Sequence, residues 1–491
     1  MGSAFACIPN HDHEYLTDRV NRGCLQPVGL TPRREISSHK ALNNRTLQRS
    51  IMKKNLVAIV KYEKPLDSVR KAVELSHGLD HLPAGAKVFI KPNIVFWTKA
   101  TNFPKYGVIT TSRVVEDMVV LLKERGINDI SIGEGTVLRD PKDMDTQLHA
   151  FKTLGYGELE KRYGVKYVNI WERPFEKVDL GDGVELKFNS DILNSDFVVD
   201  LPVMKTHSMT VVSLGIKNLK GMIDIPSRKK CHNTQPGKDL HFWVSRLADK
   251  MPPIFTLIDG IYTAEQGPNI DGRMHRSNLL VASADVLSAD MVGAKVLGYE
   301  PAEVPYLVHA AQKNNRNINL SEVEIVGESL ESVAKPHKYD FEYNEARTLP
   351  EPMDKMGIQG LSYYKYDLSL CTYCSGMTSA ILAAIARAWK GEPWDDVEIL
   401  SGKVMKPERG KKKTILFGKC IYQANKDNPD IKEMIAIKGC PPKPETVYKA
   451  LQKAGIDVDR AIFENLDMIP GKFLKRYKDR PEFDESFFTI G

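Results

Sequence analysis

No stretch of this 491-residue chain is apolar for long enough to cross a membrane: its longest apolar runs, 56–60 and 380–386, fall far short of the roughly 20 residues a spanning helix needs. An apolar leader segment is also missing near the start. Arg33-Arg34 has no apolar stretch behind it, which argues against twin-arginine export. Cysteine is scarce, with seven residues in all, too few for a disulfide scaffold; a reducing, cytoplasmic compartment is expected. No G-x-G-x-x-G opens a helix and no G-x-x-x-x-G-K-[ST] occurs, so NAD and ATP have no fingerprint here. Neither sign of charge dominates, with 69 Lys and Arg against 63 Asp and Glu. The basic residues are scattered apart from 409–413 and 472–480, both read as solvated surface. Nucleic acid is therefore not an expected partner, nor is a membrane span.

What is present is the material of a folded protein: 42% hydrophobic and 27% charged residues, with ordinary glycine and proline counts. Length alone suggests about two or three domains. Residues 1–51, rich in Asn, Arg, Ser, His and Thr, carry neither helical nor strand periodicity and read as a disordered or non-domain tail. Met52-Lys53-Lys54-Asn55 then leads into a strand-like run, the natural beginning of a domain. From there β-rich runs at 56–62, 87–90, 129–133, 167–170, 196–201, 255–259 and 278–282 alternate with helical patterns at 66–79, 112–125, 144–154 and 284–297. Such alternation predicts an α/β domain built on a mostly parallel sheet, spanning 52–340. Ligands of such sheets sit at the carboxyl ends of the strands.

A polar, proline-containing stretch, 337–355, precedes a second and smaller α/β domain, 356–491. Its predicted elements are helix 378–389, strands 397–401, 414–417 and 434–437, and helix 444–454. Four of the seven cysteines fall in it. Cys371 and Cys374 form a C-x-x-C pair, while Cys420 and Cys440 each follow a strand end and a glycine, Gly418 and Gly439. Four convergent thiolates suit a 4Fe–4S cluster or a structural zinc ion. Zinc ribbons use two C-x-x-C knuckles on short hairpins, whereas the last two cysteines here stand singly. The glycines would let backbone approach an inorganic core, and Pro441-Pro442 would stiffen the loop. The cluster is the preferred reading; zinc, or cysteines that ligate nothing, are the alternatives.

This cysteine segment resembles known cluster proteins. C-x-x-C, then Gly418-Lys419-Cys420, then Gly439-Cys440-Pro441-Pro442-Lys443-Pro444-Glu445 is similar to the proximal-cluster segments of hydrogenase small subunits and of the related subunit of NADH–quinone oxidoreductase. In those families the cysteine of G-C-P-P-x-P-E ligates a 4Fe–4S cluster. The spacing departs from theirs, with 45 residues between Cys374 and Cys420 and 19 between Cys420 and Cys440. The catalytic large subunit is not in this chain, so the resemblance implies the cluster alone.

In the larger domain, polar strings follow the predicted strands. Lys91-Pro92-Asn93 places a cation and an amide at one strand end, and Glu134 sits at another between Gly133 and Gly135. From Lys205 through His207 to Lys217, Asn218, Lys220 and Gly221 there is no carboxylate. Positive charge uncompensated among apolar residues points to an anion site. His207 reads either as a general acid or base or as a structural hydrogen-bonder. Glu265, Asn269 and Asp271 supply oxygens in a Gly/Pro turn, which reads as a tight loop before a hard-cation site. Cys231-His232 has no partner pair nearby and reads as incidental.

Taken together, K-P-N after a strand, Val203-Met204-Lys205-Thr206-His207, Lys217-Asn218-Leu219-Lys220-Gly221 and the Asp259-Gly260-Ile261…Gly267-Pro268-Asn269…Gly272 loop resemble the iron–sulfur protein family catalogued as domain of unknown function 362. The resemblance covers about 56–298, and members often carry an attached iron–sulfur segment. It implies a shared pocket and a cluster and fixes no reaction. The residues matching its strings are Lys91, Asn93, Lys205, His207, Lys217 and Asn218. The expected protein thus binds an anionic small molecule or cofactor through Lys91, Asn93, Lys217 and Asn218, with Lys205 and His207 as catalytic candidates. A 4Fe–4S cluster on Cys371, Cys374, Cys420 and Cys440 would exchange single electrons with that ligand or with a redox partner protein. If it is an enzyme, it is an oxidoreductase. The rivals are a non-redox binding or maturation protein with a structural cluster or zinc, and a pure electron carrier.

Overall fold

In the computed structural model, residues 54–137, 140 and 142–490 are described; the tail read at 1–51 lies outside them. The fold is α/β. A ten-stranded sheet carries most of the larger half and a four-stranded sheet the smaller.

The strands Val88–Pro92, Ile130–Glu134 and Phe197–Leu201 are buried along their whole length. They pair in parallel, with Ile90 opposite Ile132 on one side and Val199 on the other. Near-continuous apolar runs of this kind are what a sheet covered on both faces demands. One face packs on the helix Ser112–Glu124 through Val114, Val115, Met118 and Leu122. The other packs on the helix Val286–Val296 through Ala289, Met291 and Val292. From Val88–Pro92 the chain moves outward to Ile130–Glu134 and Lys166–Asn169, then returns to place Phe197–Leu201 on the opposite side. That reversal opens a crevice at the strands' carboxyl ends, where Lys91, Asn93, Glu134 and Asp200 stand.

Two short strands expected at 255–259 and 278–282 are one long antiparallel hairpin, Ile254–Glu265 with Arg273–Ser283. Its outer half interleaves Thr263, His275 and Ser277 with apolar residues, so a search for apolar runs stops early. The hairpin projects past the sheet edge, where Ala264 pairs with Lys205. Among the described residues no helix is long and apolar enough to cross a membrane.

The smaller sheet is wholly parallel, in the order Leu361–Tyr363, Val397–Leu400, Lys413–Phe417, Glu433–Ile437. A helix expected to begin at 378 begins at Thr372, with Cys371 as the residue before it. Thr372, Ser375 and Gly376 carry no apolar period, which conceals the first turn. Leu349 and Met353, inside the stretch read as a polar separator, are buried in the core of the smaller sheet. The chain end crosses back: Tyr477, Phe483, Phe488 and Ile490 join the first core of the larger sheet.

Candidate functional site

The strand ends build a polar floor. Lys91 has no exposed surface, and its Nζ donates to Glu134 Oε2 at 2.7 Å, Asn218 Oδ1 at 2.8 Å and the Pro92 carbonyl at 2.8 Å. Burial lowers its affinity for the proton, and the Glu134 carboxylate opposes that. Glu134 also accepts from the backbone N–H groups of Gly135 at 2.7 Å and Ile94 at 3.0 Å. Asn218 passes the network on: its Nδ2 donates to Asp200 Oδ1 at 2.8 Å, and its Oδ1 accepts from Asn93 Nδ2 at 2.9 Å. Asn93 Oδ1 in turn accepts from Lys205 Nζ at 2.7 Å, and the Val108 carbonyl accepts from the same amine at 3.0 Å. Burial, reinforced by the charge of Lys91, pulls Lys205 down to about 7.

Gly221 must be glycine. A Cβ there would lie 2.1 Å from Glu134 Oε1 and 2.8 Å from Lys91 Nζ, inside the ion pair. The short helix Gly215–Asn218 is held from below by Asp290, whose oxygens accept from Gly215 N–H at 2.6 Å and Ile216 N–H at 3.0 Å. This sets Lys217 and Asn218 on opposite duties. Asn218 completes the floor, whereas Lys217 has no hydrogen-bond or ion-pair partner among the described residues and lines the cavity above.

That cavity has a volume of about 1260 Å³. Besides Lys217 its wall carries Asn93, Glu134, Lys205, His207, Lys220, Arg228 and His232. Lys91 lies behind the wall and acts on it only through Glu134 and Asn218. Lys220 Nζ donates to His232 Nε2 at 3.0 Å, and the other ring nitrogen faces the Leu368 carbonyl at 2.9 Å. Arg228 donates to the Gly221 and Ile223 carbonyls and lies 4.6 Å from the Trp171 ring centroid. Burial first, and then neighbouring positive charge, pushes Lys217, Lys220 and His232 below their ordinary values, while burial alone brings Arg228 to about 10. Glu134, whose charge also acts on Arg228, is already committed to Lys91.

His207 Nδ1 accepts from the Met209 N–H at 3.0 Å. The tautomer assigned by that bond is neutral with its proton on Nε2. Burial, then the charges of Lys217, Lys220 and Lys205, hold the ring well below its ordinary pKa. The ring therefore offers a hydrogen bond and lacks a free lone pair with which to take a proton. This narrows the acid–base reading of His207 to that of a donor.

The four cysteines gather at the carboxyl edge of the smaller sheet. Strands Lys413–Phe417 and Glu433–Ile437 pair in register, and beyond them Gly418 N–H donates to Ile437 O at 3.0 Å and Lys419 N–H to Gly439 O at 3.2 Å. Cys420 and Cys440 are thereby brought together, both exposed. Cys374, in the first turn of the helix Thr372–Ala388, has its Sγ 3.9 Å from the Phe417 carbonyl. Gly418 has φ 108°, and a Cβ there would sit 2.8 Å from that sulfur. Burial first, then the charges of Cys371, Cys440 and Cys420, raises the Cys374 thiol, so all four sulfurs feel one another. Among the described residues no three His, Cys, Asp or Glu side chains converge closely enough for one metal ion. Asp271, a candidate oxygen ligand of the Gly/Pro turn, accepts instead from Ser379 Oγ at 2.8 Å, and Glu265 pairs with His275 at 3.4 Å.

The two groups of residues share the cavity. Thr372, Tyr373, Ser375, Gly376, Pro441 and Pro442 line it along with the cations. Lys229 Nζ lies 4.6 Å from the Tyr373 ring centroid, and the charge of Cys371 acts on Lys220. Arg228 and His232 are the wall residues that the strings did not single out for binding. Arg228 is one of three basic residues, with Lys229 and Lys230, in a short helix, and His232 was read as incidental; only the fold gives either a role.

Residues 88–295 match a family model described as Domain of unknown function (DUF362). The match takes in the floor and the cations and ends before the four cysteines, so it bears on the larger half alone. A thylakoid-associated protein of Synechocystis sp. is 27% identical over 253 residues, 50% of this chain and 74% of that protein. The lactate racemase apoprotein of Thermoanaerobacterium thermosaccharolyticum aligns with 16% identity and a TM-score of 0.29, over 50% of this chain and 57% of its own. The chain thus spans under two-thirds of that structure, and so loose a likeness carries no inference about chemistry.

Proposed function

We propose that this is an iron–sulfur protein that binds an anionic small molecule or cofactor above the strand ends and exchanges electrons with it through a 4Fe–4S cluster on Cys371, Cys374, Cys420 and Cys440. The observation that carries the reading is the shared cavity: Lys205, Lys217, Lys220 and Arg228 line it together with residues of the cysteine-bearing helix. The donor set fits the cluster. Four thiolates would serve a cluster or a zinc ion, and the charges of Cys371, Cys440 and Cys420 all act on Cys374; the single cysteines behind Gly418 and Gly439 favour the cluster. When bound, such a cluster supplies single electrons at a potential tuned by charge and solvent exposure. The chain's own residues bind and orient the ligand. Lys217 and Lys205 hold its negative charge, His207 donates a hydrogen bond, and Lys205, near neutral in affinity, holds or releases a proton. The division into an anion-binding part, 52–340, and a four-cysteine part, 356–491, belongs to the same proposal.

The test is anaerobic purification with iron, sulfide and zinc analysis and visible spectra before and after dithionite. About four iron and four sulfide per chain with bleaching on reduction are expected. Stoichiometric zinc in a colourless protein would overturn the electron-transfer reading and leave a binding or structural role.

A further inference from the structure

The cavity is far larger than a small anion needs. Ligand pockets typically measure about 300–1,000 Å³, and this one measures about 1260 Å³. Its two ends differ in chemistry. At one end stand Lys205, Lys217, Lys220 and Arg228, with Tyr373 beside them. Away from these, three distant segments contribute Phe96 and Trp97, Met377 and Leu382, and Ile469 and Phe473, with Arg476 4.5 Å from the Phe473 ring centroid and Asp271 held by Ser379 at 2.8 Å. The Thr98 hydroxyl donates to the Asp467 carbonyl at 3.0 Å, tying the first of these segments to the third. One helix, Thr372–Ala388, runs from the charged end to the apolar end, since Tyr373 and Leu382 both line the cavity. At about 1.5 Å of rise per residue these two stand about 13 Å apart along its axis.

Resting on the anion reading of this same site, we infer that its ligand is an elongated amphiphile: an anionic head on Lys217, Lys205 and His207, and an apolar body running beside Phe96, Trp97, Met377, Leu382, Ile469 and Phe473. A small anion alone would leave water against the half-buried Phe96, Leu382, Ile469 and Phe473. A neutral apolar molecule would leave Lys217 unpartnered. A ligand with both parts meets both groups of residues.

The test titrates the intact protein with straight-chain carboxylates from acetate to decanoate, and with the matching primary alcohols, by calorimetry. Affinity is expected to rise by up to roughly fourfold per added methylene until the apolar end is filled, with each carboxylate binding more tightly than its alcohol. Lys217→Gln is expected to weaken every carboxylate in parallel, and Leu382→Ser to flatten the rise. Equal affinity for acetate and decanoate would overturn the amphiphile and leave the anion site standing. Alcohols binding as well as carboxylates would overturn the charged head as well. Binding of neither the carboxylates nor inorganic phosphate, in a protein whose thermal transition is intact, would overturn the anion reading itself.

Discussion

Lys217 sits where an ammonium group has most to gain from a ligand and least from the protein. It is crowded by Lys220 and Lys205, and its folded-state affinity for a proton is held well below the ordinary lysine value, first by burial and then by those charges. The unfolded chain therefore holds a proton that the folded chain sheds, so this residue costs stability at neutral pH and the cost fades as pH rises toward the unfolded value near 10. Lys217→Met is expected to raise the melting temperature at pH 7 by about 2 °C or more. The gain should shrink in melts run toward pH 9.5, and carboxylate binding should be lost. An anion restores the proton, so binding should take up protons and weaken as pH rises; calorimetry in buffers of different ionisation enthalpy reads this directly. Stability given up at a ligand site for function is a common trade.

Among the elements, the short helix Gly215–Asn218 depends on another helix for its start. Both oxygens of Asp290 are engaged by its first N–H groups, Tyr306 Oη approaches at 3.3 Å, and burial raises the carboxyl to about 7. Asp290→Ala leaves two buried donors without acceptors, at about 1–3 kcal/mol each. Urea unfolding should show a loss on that scale, and anion affinity should fall because Lys217 and Asn218 move with the helix. Asp290→Asn keeps one acceptor and should lose less. Because the folded value lies above the unfolded one, the wild-type contribution is complete below about pH 4 and is lost as pH rises through 7. The Asn variant should therefore gain on the wild type across that window, which paired unfolding curves at pH 5 and pH 7.5 would measure.

At the scale of the whole molecule, the two sheets are joined by side chains as well as by chain. Ser379 reaches Asp271, His232 reaches Leu368, and Lys403 donates to the carbonyls of His232 and Lys229. The last residues return to the larger sheet, where Tyr106 meets Phe483 at 4.9 Å and Tyr262 stacks with Phe488 at 5.9 Å. Tyr477, Phe483, Phe488 and Ile490 together bury apolar surface worth on the order of 10 kcal/mol, comparable to the whole stability of an ordinary protein. Removal of residues 473–491 is thus expected to unfold the larger sheet, although none of its strands is touched. Circular dichroism and a thermal melt of the shortened chain should show loss of the cooperative transition. A melt unchanged within a few degrees would contradict this packing account.

Much of this was local and could be read without the fold. Apolar runs marked the buried parallel strands, and Lys91 and Asn93 at the end of one of them share a hydrogen-bond network with Lys205 and Asn218. The two single cysteines, each tied to a strand end, likewise suggested convergence with the C-x-x-C pair before any pairing was known, although the helix start behind Cys371 was hidden. Tertiary structure alone decided the rest. It placed Lys91 beneath the floor and Lys217 in the cavity, because Glu134 lies 43 residues and Asn218 127 residues from Lys91. It left His207 a hydrogen-bond donor, through a backbone group whose direction no pattern of residue types encodes. It extended a hairpin whose polar half hid it, and it brought the chain end back to the first core. Periodicity reports what each segment buries, but which segments meet depends on contacts between residues hundreds of positions apart.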